Sequence, residues 1–162
     1  MRRGTMLACG VVVAVGVTVY ACSKSSSTAP ATPALETYIA NMSAANEQPT
    51  ALTTGATGVA KFVFSAAGTI DYTINVTGLS TLPNNMHIHA PGTATQTAPV
   101  IVGFTGYAVA QNGLLAQGSI VGVSATVSMD SLKALIRNGL VYAQVHTTQY
   151  PGGEIRAQLV KQ

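Results

Sequence analysis

Ile70-Asp71-Tyr72-Thr73-Ile74-Asn75-Val76-Thr77 decides the fold class. Ile70, Tyr72, Ile74 and Val76 alternate with Asp71, Thr73, Asn75 and Thr77, the period of two that a strand with one buried and one wet face requires. Working outward, stretches of strand character recur at 38–43, 59–64, 86–90, 100–104, 115–127, 141–147 and 154–160, separated by Gly, Pro, Asn and Ser. Such a run of about seven or eight short strands predicts an all-β fold, a Greek-key β-sandwich of antiparallel strands. One helix interrupts it. Ser128 or Asp130 caps its start, Leu132, Leu135 and Ile136 form an apolar stripe, and Gly139 ends it. A helix this short covers one end of the sandwich.

Composition supports a folded core and removes several functions. Of 162 residues 48% are hydrophobic and 8% charged, too apolar for a solvated, disordered chain. The formal charge of +3 includes Arg2 and Arg3, which stand before an apolar run of the removable kind; without them it is +1. The remaining basic residues are scattered from Lys24 to Lys161. Nucleic-acid binding, which needs clustered cations to displace counterions from phosphates, is therefore not expected.

Residues 1–21 read as a signal peptide: a basic start, an apolar stretch from Met6 to Tyr20, and the small residue Ala21 before Cys22. Val19-Tyr20-Ala21-Cys22 resembles the lipobox of bacterial lipoproteins, in which the cysteine is acylated and becomes the new N-terminus; Tyr20 departs from that pattern, and plain secretion is the competing expectation. Residues 22–34 then hold the lipidated Cys22 and a Ser/Thr/Pro/Ala tether with nothing to bury. The globular domain occupies 35–162. Cys9 and Cys22 are the two cysteines of the chain, so the processed protein has no intramolecular disulfide.

Familiar catalytic patterns are absent from the sequence: there is no Gly-x-Ser-x-Gly elbow, His-Glu-x-x-His helix or phosphate-cradling Gly-x-x-x-x-Gly-Lys. Five acidic residues, Glu36, Glu47, Asp71, Asp130 and Glu154, offer little to a paired-carboxylate hydrolase. No catalytic residue is assigned. The histidines are more informative. His87 and His89 are two apart in a strand and share a face, while Tyr142, Gln144 and His146 share another, with Val141, Ala143 and Val145 behind. Across the turn at Tyr150-Pro151-Gly152-Gly153, Glu154, Arg156 and Gln158 continue the polar face, bringing Glu154 towards His146. His87, His89 and His146 with Glu154 form a candidate metal site, for which copper or zinc are the suitable ions. The plain alternative is that His-x-His is a pair of solvated strand residues, His146 bonds a turn, Glu154 and Arg156 make an ion pair or turn clamp, and Tyr142 packs.

With these residues in view, the sequence resembles the CHRD family, named from chordin. The likeness runs through Met42-Ser43-Ala44-Ala45-Asn46-Glu47-Gln48-Pro49, Thr54-Gly55-Ala56-Thr57-Gly58-Val59-Ala60-Lys61-Phe62, Met86-His87-Ile88-His89-Ala90-Pro91 and Pro99-Val100-Ile101-Val102. It is most specific in Asn138-Gly139-Leu140-Val141-Tyr142-Ala143-Gln144-Val145-His146-Thr147 with Pro151-Gly152-Gly153-Glu154-Ile155-Arg156-Ala157-Gln158-Leu159. Gln48-Pro49-Thr50, Ala90 and Ala157 depart from the family pattern, at loop and small-residue positions. The resemblance implies a secreted β module and brings no catalytic residue set with it. A second likeness is to Cu,Zn superoxide dismutase, whose copper site has a His-x-His and a late histidine like His87, His89 and His146. The chain lacks the bridging histidine, zinc loop and disulfide cysteines of that enzyme, so dismutase activity is not expected.

The expectation is a membrane-anchored or secreted CHRD module of the cell envelope, with a binding or structural role and no established catalytic activity. The alternative is an extracytoplasmic copper- or zinc-binding protein using the His-x-His plus His site. Its expected partners are the membrane, through the lipid anchor, and a protein or surface polymer.

Overall fold

The computed structural model describes residues 35–123 and 126–162. The expected signal peptide 1–21 and the expected lipidated Cys22 and tether of 22–34 lie outside the described residues. Within them are nine strands and one α-helix: β1 (Thr37–Ser43), β2 (Thr57–Phe64), β3 (Ile70–Thr77), β4 (Pro83–His89), β5 (Val100–Gly103), β6 (Gly113–Ile120), α1 (Met129–Arg137), β7 (Tyr142–Thr147), β8 (Ile155–Gln158) and β9 (Val160–Lys161). A single 3-10 turn, Ala44–Asn46, follows β1. Among the described residues no helix is long and apolar enough to cross a membrane.

The fold is all-β and antiparallel, as the alternation predicts. Hydrogen bonding joins the strands in one path, β5-β4-β7-β8-β1-β2-β3-β6, with β9 on β1. The two layers of this sandwich-like fold are thus two halves of one curled sheet, and a single register pair, Ser43 with Arg156, joins β1 to β8. Curling brings the outer strands together: Tyr72 of β3 lies 4.6 Å from Phe104, just after β5, and residues around Val102 and Ser119 line one crevice. Phe62, Ile70, Ile74, Met86, Ile88, Val145 and Ile155 fill the space between the halves.

Two strands differ from their predicted extents. The strand expected over 115–127 stops at Ile120, just before Gly122, a residue that weakens a strand interior. The strand expected over 154–160 divides at Leu159, because the chain leaves β7 there and passes to β1: the Leu159 amide bonds the Val141 carbonyl, and Val160 pairs with Ile39. The helix follows its sequence signals. Ser128 is the cap, its hydroxyl accepting from the Ser131 amide at 3.1 Å. Leu132 and Ile136, four apart, are buried, and Gly139 ends the helix in the left-handed region at φ 68°. Lys133 and Arg137 extend over the Phe64 ring at 5.6 and 5.1 Å, so α1 covers the end of the sheet where β2 turns into β3.

Candidate metal centre

Every residue of β7 from Tyr142 to Thr147 is buried, on both faces. Ala143 and Val145 point into the apolar core. Tyr142, Gln144 and His146 point the other way, beneath the loop 90–99 and the turn that joins β7 to β8. Register sets their neighbours: on β4, His87 is opposite Gln144, His89 opposite Tyr142 and Asn85 opposite His146; on β8, Arg156 is opposite Gln144 and Gln158 opposite Tyr142. Strand alternation has therefore collected a polar layer and covered it.

The three histidines come together in that layer. Each can offer one ring nitrogen such that all three lie within 4.8 Å of one another. His87 Nδ1 and His146 Nε2 are 3.2 Å apart, close to the separation of about 3.3 Å that two nitrogens take when each binds one tetrahedral ion at about 2.05 Å. His146 Nδ1 lies 3.0 Å from the Pro151 carbonyl and His89 Nδ1 2.9 Å from the Ala98 carbonyl. A carbonyl only accepts, so both Nδ1 atoms carry the proton and donate it. Their Nε2 atoms are then bare lone pairs, in the tautomer that metal-binding histidines take when a carbonyl holds the other nitrogen. With its proton on Nδ1, His87 donates to His146 Nε2; with the proton on Nε2 instead, it would offer its Nδ1 lone pair to an ion shared with that atom. His89 Nε2 is buried and has no partner.

Burial keeps these rings neutral. It lowers the pKa of His87 to about 4, with help from His146 and His89, and lowers those of His89 and His146 as well. His89 is further fixed by stacking: its ring is parallel to that of Tyr142 within 5°, with centroids 4.7 Å apart, while the Arg156 guanidinium carbon is 3.6 Å from the same ring centroid. One face of a phenol ring cannot hold both, so Tyr142 is a spacer between an imidazole and a cation. The Tyr142 hydroxyl accepts from the Ala98 amide at 3.0 Å, and the Ala98 carbonyl accepts from the His89 Nδ1–H.

Glu154 takes a different place from the one its sequence position suggests. Its Oε1 accepts from the amide and hydroxyl of Ser80 at 2.9 and 2.6 Å, and its carboxyl is not in the histidine group. Glu154 and Arg156 form no salt bridge among the described residues. Arg156 is a loop clamp, with Nη2 donating to the carbonyls of Thr93, Ala94 and Gln96. Glu47, in the turn after β1, is the residue that periodicity missed. It is buried, accepts at 2.6 Å from the Gln144 amide, and burial pushes its pKa up to about 7. Turn residues carry no face signal, so an acid among small residues was the sole clue. Gly153 belongs to the same cluster: at φ 126°, it sits where a β-carbon would overlap the Gln144 amide.

A family model, that of the CHRD domain, matches residues 38–159. No curated protein and no solved structure matches the chain.

Proposed function

The chain belongs to the CHRD domain family, and we propose that in this small β module the face of β4 and β7 binds a copper or zinc ion through His87, His89 and His146. The observation that carries the reading is the buried, unpartnered Nε2 of His89 beside two further neutral imidazoles. A buried acceptor left unpaired costs about 1–3 kcal/mol, and a metal ion is a partner that all three rings can share. The carbonyls of Ala98 and Pro151 hold two of the rings in the tautomer such an ion needs. Glu154 is not a ligand in this arrangement, and Tyr142 orients His89. The reading places the module outside the cytoplasm, with Cys22 as lipid anchor and 22–34 as tether. Metal handling at the envelope is then its role, and no catalytic group is assigned.

The test is calorimetric titration of the purified full chain with copper and with zinc at pH 7. One ion per chain is expected, with binding lost in the triple variant His87→Ala, His89→Ala, His146→Ala. Undiminished metal retention by that variant, folded by circular dichroism, would sink the proposal.

A second reading, docking of a surface polymer or protein segment, is favoured by a cleft of about 390 Å³ lined by Asn41, Asn46, Gln48 and Thr95 among others, with Arg156 at its border with the polar layer. Its amide side chains suit hydrogen bonding to sugar hydroxyls or a peptide backbone. Binding of envelope polysaccharide that Asn41→Ala and Asn46→Ala together abolish, with metal binding intact, would establish it.

A further inference from the structure

Resting on the three-histidine reading, we infer that the site is selective for the charge of its ion: it holds copper as Cu(I) in preference to Cu(II) or Zn(II). The argument is electrostatic. The donor set consists of three neutral imidazoles, and none of the chain's five acids is in the group. Glu154 is turned to Ser80 and Glu47 to Gln144. Glu36 lies against Arg137, Asp71 against Ser119, and Asp130 in the first turn of α1. The charged group that does approach is a cation, Arg156, separated from His89 by the Tyr142 ring.

Taking an ion out of water costs free energy in proportion to the square of its charge, so a dication pays about four times what a monocation pays at similar size. In a zinc or cupric site a carboxylate or bound hydroxide commonly returns part of that cost. Here no protein anion does so, and Arg156 repels a dication twice as strongly as a monocation. Imidazole is a good ligand for copper, and three nitrogens suffice for Cu(I). His87, half exposed at the rim, leaves one side from which the ion can enter.

The experiment measures the full chain's affinity for each ion separately. Zn(II) and Cu(II) are titrated directly. Cu(I) is kept reduced with ascorbate under nitrogen and competed against the chromogenic chelator bicinchoninate. Cu(I) is expected to bind at least about 100-fold more tightly than Cu(II), which raises the potential of the bound copper couple over that of the aqueous ions by about 120 mV, at 59 mV per tenfold. The charge argument has its own variant. Asn85 is exposed, shares the outward face of β4 with His87 and His89, and is opposite His146. Asn85→Asp should therefore narrow the Cu(I) preference several-fold, while Asn75→Asp, on the exposed face of β3, should leave it unchanged. Zinc or Cu(II) binding as tightly as Cu(I), or an unaltered preference in Asn85→Asp, overturns the inference and leaves the metal site standing. Failure of all three ions to bind overturns both.

Discussion

Strands β2 and β7 are each central in their half of the sheet, and they bury their residues in opposite ways. β2 alternates: Gly58, Ala60, Phe62 and Phe64 are buried while Thr57, Val59 and Lys61 are exposed. β7 buries everything, including Gln144, His146 and Thr147. Among the described residues, the buried side-chain nitrogen and oxygen atoms left without a partner belong to Glu47, His89, Glu154, Arg156 and Gln158, all on or beside β4, β7 and β8 and none on β2. Burying polar groups without partners costs stability, and a fold does not need it. One half of the sheet therefore keeps its polar groups in solvent while the other buries them, and of the five atoms the proposed ion would pair one, His89 Nε2.

The largest expected effect tests the half that contains β2. Phe62 is fully buried and meets Tyr72 and Phe104 at 6.4 Å each. Phe62→Ala should cost about 3–5 kcal/mol in urea unfolding, as truncation of a core aromatic does. Metal stoichiometry of the molecules that remain folded should not change. A folded Phe62→Ala protein that no longer binds metal would break the division between the halves.

A smaller effect comes from Glu47 and depends on pH. Its folded pKa is about 7 against an ordinary 4.5, so the native state holds the extra proton between those values. The stability linked to that proton is fully present below pH 4.5 and is lost as pH rises through 7. The histidines run the other way. With His87 at about 4 against 6.5, the unfolded chain binds more protons, so stability is complete above pH 6.5 and falls as pH drops towards 4. Between 4.5 and 6.5 the two slopes oppose each other. Glu47→Gln keeps an acceptor for Gln144 and deletes one slope, so the variant should gain about 1–3 kcal/mol over the parent at pH 8 relative to pH 5. Equal stability profiles in the two proteins would show that the Glu47 carboxyl is not held in its protonated form by the polar layer.

These two regions also differ in how much of them could be read from the sequence. The alternation of Ile70 to Thr77 is a local signal, and it gave the strand, its face and the all-β class because each depends on neighbours two residues away. His87, His89 and His146 were legible as a group for the same reason: strand parity places them on outward faces. What parity cannot carry is the partner of each side chain. Glu154 has the right face and register for His146, yet Ser80, 74 residues away, takes its carboxyl. Glu47 sits in a turn, where no period applies. The end of β6 at Ile120 and the change of partner at Leu159 likewise depend on how the sheet curls, which is a property of the whole chain.

Arg156 tests the cover of the polar layer. Arg156→Met should keep the contact with Tyr142 and remove the donor shared by three carbonyls of the loop 90–99. Lost hydrogen bonds to a charged group cost about 1.5–3 kcal/mol, partly offset because the guanidinium need no longer be buried, for a net loss of about 1–2 kcal/mol. Faster hydrogen exchange at the Ala98 amide, which donates to Tyr142, is the signature of a loosened cover. Unchanged exchange there would mean that the loop is held by other contacts and that Arg156 is not its clamp.

The smallest effect is expected on the outer face of β2. Val59 is exposed and opposes Asn41 and Asn75, also exposed, on the strands beside it. Threonine keeps the branched shape that suits a strand, and its hydroxyl meets water there. Val59→Thr should therefore change stability by less than about 0.5 kcal/mol, as surface substitutions usually do, and leave metal affinity unaltered. The result matters because β2 is the reference against which β7 is unusual. A loss above about 1 kcal/mol would mean that something covers this face in solution, a second copy of the chain or another partner. The two halves would then both be buried on two sides, and the polar layer of β7 would need no ligand to distinguish it.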